Sequence, residues 1–121
     1  MIKSYKDLKV YQTSYKFAMD IFWITKDFPK EELYSLTDQI RRSSRSISSN
    51  IVEGWAKRSY VNIFKKQLVD AFGSSNETQN WLNFAFDCKY LKEDEFNKFT
   101  ITCDEIGKML TGLIDNWKTY D

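Results

Sequence analysis

An all-α chain folded as an antiparallel up-down-up-down four-helix bundle is what three features of the sequence predict. Glycine and proline are scarce, four and one in 121 residues, so little interrupts long helices. Apolar residues recur at helical spacing through four segments joined by short connections, the pattern of neighbouring antiparallel helices. No repeat, low-complexity tract or long linker divides the chain, so residues 1–121 read as one domain, long enough to bury a core without staples.

The first helix is expected from about Leu8 to Lys26, with Leu8, Tyr11, Tyr15, Ala18 and Phe22 on one stripe. A second stripe, Val10, Phe17, Ile21, Ile24 and Phe28, lies beside it and makes the apolar face wider than one bundle seam needs. Pro29 closes this helix, because the residue before a proline is pushed out of the helical region. The second helix follows "KEELYSL" and ends near Lys57. Ser59 is a suitable N-cap for the third, which runs to about Tyr90 with Phe64, Leu68, Ala71, Leu82 and Ala85 inward and Trp81, Phe84 and Cys88 on a neighbouring face. The acids of "KYLKEDEF" suit the positive start of the fourth helix, whose heptad is the cleanest in the chain: Phe96, Phe99, Cys103, Ile106, Leu110, Leu113 and Trp117.

Composition excludes several classes of function. The chain has no histidine, so it has no Ser-His or Cys-His pair and no imidazole metal site. It also lacks the Glu-x-x-His pairs of di-iron bundles, and "EGWAKRS" and "FGSSNE" do not form a phosphate loop. No catalytic residue, metal or cofactor is therefore expected. Cys88 and Cys103 have no metal-ligand spacing and read as buried free thiols in a reducing compartment. With no signal-peptide pattern and no apolar run long enough to span a bilayer, a soluble cytoplasmic protein without a membrane partner is expected.

The stretch "DQIRRSSRSISSNIVEGWAKRS", residues 38–59, is the unusual one. Ile40, Ile47, Ile51 and Val52 require it to face a core, yet Arg42, Ser46, Asn50, Glu53 and Lys57 make a continuous polar line along the same helix. Ser74 and Glu77 interrupt the third helix similarly, with Gly73 beside them. Small residues permit close approach, and polar groups brought together there must bond one another, since an unpaired buried group costs about 1–3 kcal/mol. A structural polar network of Gln39, Arg42, Ser46, Asn50, Glu53, Ser74 and Glu77 is the first reading. A ligand or RNA site made of the same residues is the second.

Charge adds a further expectation. Residues 1–60 carry 11 Lys/Arg against 7 Asp/Glu, and residues 61–121 carry 7 against 10. The imbalance suits a self-complementing surface or a nucleic-acid footprint. Arg41, Arg45, Lys57, Arg58, Lys65 and Lys66 are the candidate phosphate contacts, with Trp55 as a stacking residue for unpaired bases. The plainer alternative is that they are solvated charges or ion pairs between subunits.

The motifs "DLKVYQ", "FPKEELYSLTDQIRRSSRSISSNIVEGWAKRS", "FGSSNETQNWL" and "KYL" resemble the four-helix-bundle proteins encoded in intervening sequences of bacterial 23S rRNA genes. Matching positions include Asp7, Leu8, Val10, Phe28, Pro29, Glu32, Tyr34, Leu36, Gln39, Arg41, Arg42, Ser46, Asn50, Glu53, Gly54, Gly73, Ser74 and Glu77; Ser43 stands where alanine is usual. The resemblance implies a homo-oligomer, a pentameric ring, with no enzymatic activity. The chain is also similar to the accessory protein of diversity-generating retroelements, a pentameric barrel that binds nucleic acid and a reverse transcriptase. That similarity makes RNA or a nucleic-acid-handling protein the implied partner, although those accessory proteins are strongly basic and this chain carries a net charge of only +1. The alternative is a protein–protein scaffold with no nucleic-acid role. The sequence assigns the subunit contact to the surplus face of the first helix, Phe17, Ile21, Ile24 and Phe28 with Trp23 beside them.

Overall fold

Two antiparallel helical hairpins lie side by side in the computed structural model, which describes residues 1–117. Helix α1 spans Lys9–Thr25, α2 Leu36–Ala56, α3 Val61–Asp87 and α4 Glu93–Asn116, with single 3-10 turns at Tyr5–Asp7 and Lys30–Glu32. Contacts join α1 to α2, α2 to α3, α3 to α4 and α4 to α1, which sets α1 diagonal to α3 and α2 diagonal to α4. The architecture is the expected all-α, up-down-up-down bundle.

Side-chain pairs give the register. Ser43 meets Thr78, Ser46 meets Ser74 and Asn50 meets Gln67, so α2 and α3 run in opposite directions. Cys103 facing Ser75 and Thr100 facing Gln79 do the same for α3 and α4. The core draws on all four helices: Phe17 and Ile21, then Ile40, Ile47 and Ile51, then Phe64, Leu68 and Leu82, then Ile106 and Leu110. The predicted heptad of α4 supplies its buried positions Phe99, Cys103, Ile106 and Leu110, while Phe96, Leu113 and Trp117 pack against the rim.

Several expectations are corrected here. In α1 the inward stripe is Val10, Ser14, Phe17, Ala18, Ile21 and Thr25. Phe17, Ile21 and Phe28 are therefore core and Ile24 packs against it, so they are no surplus face. The exposed apolar side chains of this helix are Tyr15, Met19 and Trp23 instead. The inward face draws on both stripes, Leu8 and Ala18 from the first and Val10, Phe17 and Ile21 from the second, and packing against α2 and α4 leaves Tyr15, Met19 and Trp23 outside. Ser59 does not cap α3, whose N-cap is Tyr60 without a side-chain bond. Cys88 is exposed rather than buried, because α3 ends at Asp87 and turns it outward.

The α3–α4 connection closes on a residue that the sequence does not flag. Lys89 adopts φ 67, and the Lys89 and Tyr90 amides donate to Phe86 O and Ala85 O at 2.9 and 2.8 Å. This is a Schellman stop with lysine in the left-handed position where glycine is usual. The acids Glu93, Asp94 and Glu95 then occupy the first turn of α4, and Glu95 accepts the Lys92 amide at 2.8 Å.

Candidate nucleic-acid interface

The polar line of α2 divides at its junction with α3. The Thr78 and Ser43 hydroxyls are 2.9 Å apart in the buried seam, and each also reaches a helical carbonyl, Ser74 O and Ile40 O respectively. One turn along, the Ser74 and Ser46 hydroxyls are 3.0 Å apart, and the Asn50 amide donates to Ser46 O at 2.9 Å. Asn50 accepts in turn from Gln67 Nε2 at 2.9 Å. The seam is a run of small neutral groups that satisfy one another, so it carries no buried charge.

The charged members of the predicted network are elsewhere. Gln39, Arg42, Glu53 and Glu77 are all exposed. Glu53 accepts Lys57 Nζ at 3.1 Å one turn on, and Glu77 accepts the Trp81 indole N–H at 3.0 Å. Their long side chains reach solvent from the edge of the seam, where ionised groups avoid the desolvation that burial would impose. A network joining Arg42, Asn50, Glu53 and Glu77 is therefore absent. Ser46, Asn50 and Ser74 remain, with Ser43, Gln67 and Thr78 as members that sequence spacing did not single out.

The candidate RNA contacts also separate, into two groups at opposite ends of α2, about 20 Å apart by helical rise. At the C-terminal end Trp55 is only 8% exposed, edge-on to Phe64 and Trp117 at 6.4 and 5.8 Å between ring centroids. It is a core side chain and offers no face to a base, which corrects its assignment as a stacking residue. Arg58 lies over it at 4.3 Å and donates to its carbonyl at 3.0 Å. Lys66 pairs with Asp70, Lys57 with Glu53, and Lys65 is half-buried without a recorded polar partner among the described residues.

The N-terminal end of α2 differs. Arg41 and Arg45 face α1, and their guanidinium carbons lie 4.9 and 5.7 Å from the centroid of Phe22. Lys26 Nζ is 4.8 Å from the same ring and 5.4 Å from that of Trp23. Trp23 meets Phe22 edge-on at 5.1 Å and is 59% exposed. Among the described residues none of these cations pairs with a carboxylate within salt-bridge distance. Arg41 is held in place, since its Nε donates to the Thr25 hydroxyl at 2.9 Å. Sequence reading found Arg41 and Arg45 but missed Phe22, Trp23 and Lys26, whose link to α2 runs across the helix–helix contact. The only local signal was the i, i+4 spacing of Phe22 and Lys26.

A recess of about 590 Å³ between α3 and α4 is lined by Phe72, Asn76, Cys103, Asp104 and Lys108 among others. Burial pushes the Cys103 thiol up to about 12, so it stays protonated and is a poor nucleophile. Among the described residues no three His, Cys, Asp or Glu side chains are grouped to hold a metal.

The family model for "23S rRNA-intervening sequence protein" matches residues 6–112. The chain belongs to that family. It is also similar to a crystal structure from Bacteroides thetaiotaomicron described as a protein of unknown function from the S23 ribosomal protein family. The two are 28% identical, superpose with a TM-score of 0.80, and match over 88% of this chain and 96% of the other. A search of curated proteins finds no match. The match spans the α2 stretch that carries Arg41, Arg45 and the small polar seam. No helix among the described residues is long and apolar enough to cross a membrane.

Proposed function

We propose that this family member is a non-catalytic, self-associating module that binds RNA at the junction of α1 and α2. The observation that carries the reading is the group of cations on one aromatic ring, Lys26, Arg41 and Arg45 around Phe22, with no carboxylate among the described residues within salt-bridge distance of them. Cations left unpaired by the protein's own acids are available to phosphate, and guanidinium groups suit it bidentately. The overall charge of +1 makes this a local footprint, not a broad electrostatic field.

Self-association rests on surface that one chain leaves bare. Tyr15 and Met19 on α1, Val69 and Phe72 on α3 and Ile101 on α4 are large apolar side chains facing solvent. They belong to three different helices, which favours a head-to-tail contact that closes into a ring, and five is the number that the resemblance implies. A ring repeats the cation group, so weak single sites add by avidity.

Filter binding of labelled ribosomal RNA fragments across a salt series, with light scattering on the same sample, tests both parts. Affinity that rises as salt falls, and that is lost in Arg41→Gln/Arg45→Gln, supports RNA binding. Negligible affinity at low salt favours a protein–protein scaffold. A mass of one or two chains that persists on dilution removes the ring.

A further inference from the structure

Trp23 protrudes beside the cations and has no role in the core. Trp23 is 59% exposed, it meets Phe22 edge-on at 5.1 Å, and Lys26 lies over its ring at 5.4 Å. Lys26 is the cation at this ring, Arg41 and Arg45 lie on the neighbouring Phe22, and Trp23 also borders a recess with Asp20 and Glu95. An exposed tryptophan beside such cations is a platform for the flat face of a base, and that face is available only where the base is unpaired. The cation group is also compact. Arg41 and Arg45 approach the same ring within 4.9 and 5.7 Å, so together they can meet one or two neighbouring phosphates. Duplex binding without sequence preference is carried by phosphate contacts alone, so its strength grows with their number. The three clustered cations of one subunit supply few of these to a short duplex that reaches a single site, and A-form RNA keeps its deep groove closed to side chains.

We infer that the site selects unpaired RNA, one base lying on the Trp23 indole while the adjoining phosphate is held by Arg41 and Arg45. The inference rests on the RNA reading above and narrows it to single strands. Arg41 is ready for such a contact, because its Nε is already bonded to Thr25 at 2.9 Å and its terminal nitrogens carry the remaining donors. Phe22 serves as the surface beneath the guanidinium groups, leaving the side of the Trp23 ring away from Lys26 for the base.

Fluorescence anisotropy with two labelled probes, a short unstructured homopyrimidine RNA and a duplex of the same length, tests this on the full chain. The single strand is expected to bind at least ~10-fold more tightly, with a log–log salt slope of about −0.7 to −1.4, as one or two phosphates at ~0.7 each imply. Trp23→Ala should weaken single-strand binding by about 5- to 100-fold with the slope unchanged, and Trp23→Phe should recover part of it. Arg45→Gln should instead reduce the slope by about 0.7. Equal affinity for both probes, or an unaffected Trp23→Ala, overturns the single-strand assignment and leaves RNA binding standing. A changed scattering mass in Trp23→Ala places that side chain in the subunit contact and also overturns it. Absence of binding to either probe at low salt defeats the RNA reading and this one with it.

Discussion

The Thr25 hydroxyl joins α1 to α2, donating to the Ile21 carbonyl at 2.7 Å and accepting from Arg41 Nε at 2.9 Å. It is 2% exposed, so valine would keep the shape and remove only the polar link. Thr25→Val is expected to lower stability by about 1 kcal/mol and to weaken RNA binding several-fold through loss of Arg41 placement. Chemical denaturation and anisotropy measure the two effects separately.

The buried hydroxyl pair Ser43 and Thr78 should show coupling. Ser43→Ala leaves Thr78 one partner short and is expected to cost about 1 kcal/mol, and Thr78→Val similarly. Thr78 retains Ser74 O as an alternative partner, which limits either loss. The double variant should cost less than the sum of the singles, the signature of groups that satisfy each other. Additive losses in a double-mutant cycle would show that the pair contributes nothing as a pair.

Two glycines should respond in opposite directions. A Cβ at Gly54 would lie 2.8 Å from Gln67 Cβ and 3.2 Å from Phe64 Cδ1, so Gly54→Ala forces α2 and α3 apart. A net loss of about 1–3 kcal/mol is expected despite the better helix propensity of alanine. At Gly73 nothing lies within 4 Å, and Gly73→Ala should stabilise the monomer fold by up to about 1 kcal/mol. Thermal melts of both variants decide this.

Lys89→Gly is expected to stabilise the fold by about 1 kcal/mol, because the position already has φ 67 and glycine adopts it without strain. Denaturant midpoints at neutral pH check it. A loss of stability would mean that the lysine side chain contributes more than the backbone strain costs.

Stability should vary with pH at both ends of the range. Burial raises Cys103 from 9.0 to about 12, and the bond to Glu32 raises Tyr90 from 10.0 to about 12. Both contributions are complete below the unfolded values and are lost as pH climbs toward 12. Glu32 is lowered from 4.5 by the Ser35 hydroxyl and then the Tyr90 hydroxyl, so its contribution holds above 4.5 and is lost in acid as it protonates. Urea midpoints followed with pH should show both declines, and Tyr90→Phe should reduce both. In thiol titration of the native protein Cys88 should react at once and Cys103 only on unfolding.

The sequence by itself determined the helices and their order, since their cause is local. Scarce glycine and proline, the acid-led start of α4 and the Phe99–Cys103–Ile106–Leu110 repeat can each be read within a few residues. It also brought out Arg41, Arg45, Ser46, Asn50 and Ser74. Tertiary structure decided which apolar residues of α1 turned inward, because only the positions of α2 and α4 distinguish Phe17 and Ile21 from Tyr15 and Trp23. It decided likewise that Trp55 is core and Trp23 is not, and that Glu53 and Glu77 stay in water while Ser43 and Thr78 bond in the dark of the seam. The site itself, Lys26 and Phe22 from one helix meeting Arg41 and Arg45 from the next, exists only once α1 packs on α2. Helical periodicity reports which side of one helix is apolar; contacts across a seam depend on the rotation of both helices, which no single helix encodes.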